Sequence, residues 1–405
     1  MRSSIPSGLV LLLLFAPVAA QAQFSYITNS DNTLTITGYS GGVGALAIPT
    51  NIGGLTVAGI GDRAFEGNTN PTSVTIPGSI TSVGYNAFYE CFSLASVTIA
   101  GSITNFGDGG TFSGCRSLTN ATISNGVTSI AVGMFEGCTN LTSVTIPSSV
   151  TSIEDNAFAG CGMTNFALPT NVTSIGDYAF YGCAWMTNIT ISESITSISD
   201  FAFDYCSSLS SIVFPSSVTN IGYIAFGNCD GLTNVTIPSS VTSIGNYAFY
   251  ACNRLTNATV DKGVPNISAA MFEVCENLTS VFFQGNAPSV TGASEDPPVF
   301  YDDTNVTVYY LPGATGWSNT YWYVPAVLWN PQVQASGANF GVKNGQFGFN
   351  TTGTANIPIA VQACTNLANP IWMSLTNVTL TNGLFYFSEP FQANTSARYY
   401  RISSP

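Results

Sequence analysis

One phenylalanine recurs through most of this chain at an almost constant interval. Phe65, Phe88, Phe112, Phe135, Phe158, Phe180, Phe203, Phe226, Phe249 and Phe272 are separated by 23, 24, 23, 23, 22, 23, 23, 23 and 23 residues. Three residues after nine of these ten stands a cysteine: Cys91, Cys115, Cys138, Cys161, Cys183, Cys206, Cys229, Cys252 and Cys275. A unit this short cannot bury its own apolar face, so successive units must stack and share one interior. The chain is therefore expected to fold as a mainly β solenoid.

The unit Leu232–Cys252 shows how each coil is written. Val235 and Ile237 alternate with Asn234 and Thr236, the pattern of a half-buried strand, and Pro238 closes it. Val241 and Ile244 mark a second short extended segment ending at Gly245, and Asn246 opens a turn that carries Phe249 and Cys252. Asp62, Asp155, Asp177 and Asp200 take the Asn246 position, where a short carboxylate can cap a single helical turn. Stacked strands lie roughly 4.8 Å apart, which sets the apolar residues in interior ladders. Two units depart from the period, with an extra residue in Gly107–Gly110 and one residue missing between Cys161 and Leu168. Both changes spare the strand alternation, as a ladder requires.

These motifs resemble the BspA-type bacterial leucine-rich repeat, whose pattern runs Leu-x-x-Leu-x-Leu-Pro, then Ile-Gly, then Ala-Phe-x-x-Cys. The resemblance covers residues 45–285, and Ile48-Pro49 through Ile60-Gly61 and Ala64-Phe65 resembles the family's first repeat. It implies a curved leucine-rich-repeat solenoid of about ten to eleven 23-residue repeats with N- and C-terminal caps. It also implies secreted or cell-surface proteins, several of them adhesins; it does not imply a single ligand or any catalytic activity.

Outside the repeats, Arg2, the apolar run Gly8–Val18 and Ala20-Gln21-Ala22 read as a signal peptide over residues 1–22. The cleavage point lacks the cysteine of a lipoprotein anchor, and no anchor is expected after Ser403-Ser404-Pro405. Residues 23–44 read as an N-terminal cap, a hairpin of Tyr26-Ile27 and Leu34–Thr37 around Asn29–Asn32. Residues 286–331 read as a C-terminal cap and linker, with strands at Val299-Phe300 and Val306–Leu311. Residues 332–405 carry short alternating stretches between Asn344-Gly345, Asn369-Pro370 and Asn382-Gly383. They read as a small β-sandwich-like domain with Trp372 and Tyr399 in its core.

Only 7% of the residues are charged, with 21 acidic against 8 basic, so the basic footprint of a nucleic-acid binder is absent. The chain has no histidine, which removes Ser-His-Asp and Cys-His catalysis and His-liganded zinc. No Gly-x-Ser-x-Gly elbow or Walker-type loop is present, so no cofactor is expected. Paired acids at Glu154-Asp155, Glu295-Asp296 and Asp302-Asp303 are the residue type of glycosidases and calcium loops. The first pair falls on the capping position and the others in cap loops, so turn formation and solvation account for them. The nine repeat cysteines share one structural position, and parallel thiols do not turn toward each other as a disulfide demands. They are expected to pack as free, buried thiols.

The candidate binding face is the outward row of the main sheet. One position reads Thr75, Thr98, Thr122, Thr145, Ala167, Thr190, Val213, Thr236, Thr259 and Phe282. Two residues earlier stand Asn120, Asn188, Asn234 and Asn257 among serines. Threonine is a good exposed strand residue in its own right. The functional reading is a broad hydroxyl- and amide-rich face for a protein, matrix or glycan partner. The leading expectation is a non-enzymatic adhesive or protein-binding scaffold, the alternative a carbohydrate-binding protein acting through the C-terminal domain or this face. No nucleic-acid partner and no membrane span are expected.

Overall fold

A computed structural model of the chain describes residues 23–291, 298–303, 305–391 and 397–404. The expected signal peptide and the Glu295-Asp296 pair lie outside the described residues. The protein is a β-solenoid of about 12 turns followed by sandwich-like sheets, with no α-helix among the described residues. It divides into two compact units, residues 1–150 and 151–405.

In the first unit the hairpin Phe24–Thr28 with Leu34–Tyr39 is antiparallel, and its second strand continues in parallel against Leu55–Ile60. The open edge of the coil stack is thereby covered. The main sheet runs in parallel through Gly44–Ala47, Pro71–Ile76, Ser96–Ile99, Asn120–Ile123 and Ser143–Thr145. Its registers pair like with like, Val74 on Val97 and Val97 on Ala121, so each inward side chain lies over its counterpart.

In the second unit the main sheet has two segments. Asn165–Ala167 pairs with Asn188–Thr190, and a longer sheet runs Asn234–Ile237, Asn257–Val260, Ser280–Phe283, Thr307–Tyr310 and Val324–Leu328. The coil between them, Ser211–Phe214, keeps its alternation, with Ile212 and Phe214 buried and Val213 exposed, but forms no strand. Phe214 stands where Ile237 stands in the next coil and packs edge-on against Phe226 at 5.5 Å. A ring in place of an isoleucine requires extra interior room, and it coincides with the break.

The repeating phenylalanines form the interior spine. Rings 65, 88, 112 and 135 stack in the first unit at 4.6, 5.1 and 5.8 Å. Rings 158, 180, 203, 226, 249, 272 and 300 stack in the second at 5.3–6.1 Å. Each is held by its own backbone, since the N–H of one repeat phenylalanine donates to the carbonyl just before the next: Phe180 to Ala202, Phe203 to Ala225, Phe226 to Ala248. The cysteine three residues on is fully buried and donates its S–H to the phenylalanine carbonyl of the preceding coil, as Cys229 Sγ does to Phe203 O at 3.2 Å. The thiols are free and sequestered, and burial pushes Cys183 up to about 12. Threonine hydroxyls add a second set of staples, Thr187 Oγ1 to Thr164 O and Thr256 Oγ1 to Thr233 O, both at 3.0 Å.

The turn around each phenylalanine is not the helical turn anticipated. The residues two before and two after it adopt left-handed backbone, including Asn156, Tyr178, Phe201 and Tyr247 before it and Tyr205, Asn228 and Ala251 after it. Such a φ is unfavourable for a bulky L-residue. Here it aims an N–H at the adjacent coil, as from Phe201 to Tyr223 O and from Asn228 to Tyr250 O. The aspartates also differ from the expectation. They reach across coils: Asp62, Asp155, Asp177 and Asp200 accept the backbone N–H of Tyr85, Asp177, Asp200 and Tyr223. Glu154 accepts from Ser152 Oγ. The first acid pair is thus built into the turn.

The final coil corrects the expectation of a strand at Val299-Phe300. The segment is a turn, and Phe300 stacks on Phe272 as the last ring of the spine. Asp303 then falls where nine of the preceding coils carry cysteine. It is 3% exposed, and neither carboxylate oxygen makes a well-formed hydrogen bond. Burial, and the carboxylates of Asp302, Glu273 and Glu276, push Asp303 up to about 7.

The C-terminal residues form two antiparallel sheets. Gln332–Gln334, Gly341–Lys343 and Leu384–Pro390 flank Gln346–Thr352, while Met373–Thr379 and Tyr399–Ser403 flank Pro358–Cys364. Their core is Phe349, Val361 and Phe387, with Phe347 and Tyr400 against it. The expected core aromatics Trp372 and Tyr399 lie outside this cluster. In Tyr399–Ser403 alternation sends Tyr400 and Ile402 inward, leaving Tyr399 outward, and Trp372 stacks under the Arg401 guanidinium at 4.5 Å.

Two outcomes follow. Phe203→Ala should lower unfolding free energy by about 3–5 kcal/mol, as full burial of a stacked ring implies, measured by denaturant melts. A carboxyl with a raised folded pKa favours the fold while protonated and loses that advantage as pH rises from about 4 through about 7. Asp303→Cys, which restores the thiol donor, should therefore raise Tm at pH above 7 and have little effect below pH 4. An equal change at both pH values would show that ionisation is not the cause.

Candidate interaction surface

Strand alternation places the threonine row outside. In the first unit Thr75 pairs with Thr98, Thr98 with Thr122 and Thr122 with Thr145, giving a row four strands wide, with Asn120 beside Ser96 and Ser143. Thr75, Thr98, Thr145 and Asn120 are exposed and Thr122 is half-buried. In the second unit Asn188 and Thr190 pair with Asn165 and Ala167. Asn234 and Thr236 pair with Asn257 and Thr259 in the next sheet segment. Asn188, Thr190, Asn234 and Thr236 are exposed, whereas Asn257 and Thr259 are half-buried. The row the sequence suggested as one array is therefore brought together as patches. The break at Ser211–Phe214 leaves a shallow depression of about 300 Å³ lined by Asn188, Thr190, Glu193, Ser211, Val213 and Pro215.

The amides lie flat on the sheet. Asn234 Nδ2 donates to Thr233 Oγ1 at 3.3 Å, and Asn257 Nδ2 to Thr256 Oγ1 at 3.0 Å. Thr122 Oγ1 donates to Asn120 Oδ1 at 3.4 Å. The threonine and asparagine rows carry no charge of their own, Glu193 standing beside them at the depression, and present donors and acceptors at strand spacing, which suits hydrogen bonding to a partner.

Phe282, the aromatic interruption of the row, ends the face for a physical reason. It is 5% exposed because the C-terminal domain packs over it: Phe282 and Tyr309 form one cluster with Ile357, Ile359 and Leu380. Trp329 meets Phe282 edge-on at 6.2 Å and donates its indole N–H to Pro358 O at 2.8 Å. The domain thus sits on the outward side of the last coils.

A groove of about 720 Å³ runs between Lys262–Pro265, Gln284–Pro288 and Leu311–Ala314. No acid lines it. Among the described residues no group of three or more Cys, Asp and Glu is disposed to hold a metal ion, and no helix is long and apolar enough to cross a membrane.

The repeat region matches the family model described as "BspA type Leucine rich repeat region", in six copies over residues 54–164, 109–222 and 173–294. The chain belongs to the BspA-type leucine-rich repeat family. Among solved structures, a leucine-rich repeat protein from Bacteroides ovatus is 21% identical, with a TM-score of 0.51, over 71% of this chain and 83% of that one. A leucine-rich cell surface protein from Faecalibacterium prausnitzii is 29% identical over 67% of this chain and 94% of that one, with a TM-score of 0.37. The pneumococcal vaccine antigen PcpA is 16% identical over 72% and 92%, with a TM-score of 0.41. No curated protein matches the chain. The Bacteroides likeness shows the solenoid fold, and the BspA-type repeat accounts for the spine, the thiol ladder and the outward threonines together.

Aromatic residues on the turn side were not singled out by the sequence reading. Tyr178 stacks on Phe201 at 4.4 Å, and Phe201 and Tyr223 meet edge-on at 5.2 Å. Their signal was present as the bulky residues flanking each Ala-Phe pair, hidden by the stronger periodicity of the phenylalanine itself.

Because the C-terminal sheets cover Phe282, Phe282→Thr, the residue most coils carry there, should loosen them. Limited proteolysis should then cut near 328–332 faster than in wild type, with the repeat region still resistant. Equal cutting rates would contradict the packing.

Proposed function

We propose that the protein is an exported, non-enzymatic scaffold, secreted or displayed at the cell surface, that binds protein or matrix partners through its repeat surface. The observation that carries this reading is the threonine and asparagine face, rows of uncharged polar side chains presented on a ladder stapled coil by coil. Proteins with rigid repeats present function on such extended faces. Export is supported by the apolar run Gly8–Val18 with Arg2 before it and Ala20-Gln21-Ala22 after it. A non-catalytic role is supported by the chain's lack of histidine and by the engagement of Glu154 and Asp155 in turn hydrogen bonds.

The test is binding of the labelled full chain to immobilised extracellular-matrix proteins and to a glycan array. Wild type should bind protein, and Thr98→Lys with Thr122→Lys or Thr190→Lys with Thr236→Lys should weaken that binding about tenfold, because long charged side chains occupy the face. Glycan binding that survives both variants and is lost on substitution in the C-terminal domain would overturn the scaffold reading in favour of carbohydrate recognition.

A further inference from the structure

Between Arg116 and Arg254 the sequence contains no lysine or arginine and eight acids: Glu136, Glu154, Asp155, Asp177, Glu193, Asp200, Asp204 and Asp230. Within the second unit Glu154, Asp155, Asp177, Asp200, Asp204 and Asp230 lie on the turn side of the coils with surface aromatics, whereas Glu193 lies beside the outward row of the main sheet. Asp177 and Asp200 are exposed in the position three before the repeat phenylalanine. Beside them run Tyr178, Phe201, Tyr223 and Tyr247, in contact from coil to coil at 4.4, 5.2 and 5.8 Å. The last two of these contacts are edge-to-face, at 74° and 82°, so ring faces as well as edges are presented along the column. A parallel pair, Tyr181 and Tyr205, meets at 67°, and the two side chains are 37% and 49% exposed.

The same turn positions in the first unit show what such rings accept. There Arg63, two before Phe65, lays its guanidinium over the ring of Tyr85, three before Phe88, at 5.7 Å. Arg116 covers Phe92 in the same manner at 5.8 Å. In the second unit the Arg63–Tyr85 pair is replaced by Phe201–Tyr223, so the rings and carboxylates remain while the cation is gone. The negative field there is uncompensated. Burial, then Asp200 and Asp155, hold the Asp177 carboxyl above the ordinary carboxylate range, and burial followed by Asp177, Asp204 and Asp200 raises the Tyr178 hydroxyl.

We propose that the turn side of the coils from Asp155 to Tyr250 is a docking surface for an arginine- and lysine-rich segment of a partner protein, whose cations take the place that Arg63 and Arg116 hold in the first unit. Guanidinium stacks on tyrosine and pairs with carboxylate at once, so arginine is the preferred cation. The inference rests on the reading of the chain as a protein-binding scaffold, but assigns a different face from the threonine row.

The test uses the full chain and a fluorescent nona-arginine peptide, with nona-lysine for comparison, followed by anisotropy at about 0.15 M salt. Nona-arginine should bind more tightly than nona-lysine. Tyr178→Leu with Tyr223→Leu, which leaves the charge unchanged, should weaken nona-arginine about tenfold. Asp177→Asn with Asp200→Asn, which keeps an acceptor for the next coil's N–H, should weaken it similarly. Glu193→Gln with Glu276→Gln, away from these columns, removes the same charge and should change little. Circular dichroism of each variant confirms that the coil stack persists. Absence of nona-arginine binding, full binding by the leucine variant, or an equal loss from the Glu193 and Glu276 pair would overturn the proposal. The lysine variants of the threonine face separate the two readings. If they abolish matrix-protein binding while the leucine variant keeps nona-arginine binding, the docking surface fails and the scaffold stands.

Discussion

Every coil of this protein is held by what its neighbour does with one turn. The backbone N–H of a repeat phenylalanine donates to the carbonyl before the next phenylalanine, and the left-handed residues on either side send their own N–H groups the same way. A single left-handed tyrosine or phenylalanine is unfavourable by roughly 1–2 kcal/mol, so the turn would not survive alone. Stacked, the strained residues gain intercoil hydrogen bonds and the phenylalanine between them gains a buried, stacked place, and the arrangement propagates. The thiol ladder adds to the same constraint, because the cysteine S–H of one coil donates to the phenylalanine carbonyl of the preceding coil.

Where the pattern is altered, the structure shows what the alteration does. Phe214 in place of an aliphatic residue coincides with an unpaired stretch of the main sheet. Asp303 in place of cysteine puts an ionisable group where a weak neutral donor belongs, which makes the last coil sensitive to pH. Phe282 in place of threonine turns an exposed row into the floor of an interdomain contact. Each is a single side chain set against a repeating background, and so its effect can be read by comparison with its own neighbours.

Two faces of the same coils then carry different chemistry. The sheet side carries hydroxyl and amide rows with no charge in them, and the turn side of the second unit is aromatic and acidic. Both arise from strict alternation and fixed turn positions, since a residue's place in the unit decides which surface it joins. A repeat protein can diversify either face without disturbing the other, and the replacement of Arg63 by Phe201 at equivalent positions is an instance within one chain.

The 23-residue interval determined a stacked β fold, the inward residues and the outward threonines, because a ladder tolerates only side chains that repeat in register. It also determined the shared position of the nine cysteines. The sequence alone misjudged the turn, because local propensity at Asp155 or Asp177 favours a helical cap and only the neighbouring coil offers the N–H that the carboxylate accepts. It missed the continuity of the C-terminal coils through Phe300 and Val324–Leu328, where the spacing lengthens and the cysteine is lost. It misplaced Trp372 and Tyr399, since two adjacent aromatics in Tyr399-Tyr400 cannot both face inward and strand register chooses. Tertiary structure alone decided where the outward row is broken and covered, and which rings on the turn side meet, because those depend on contacts between residues some 23 positions apart.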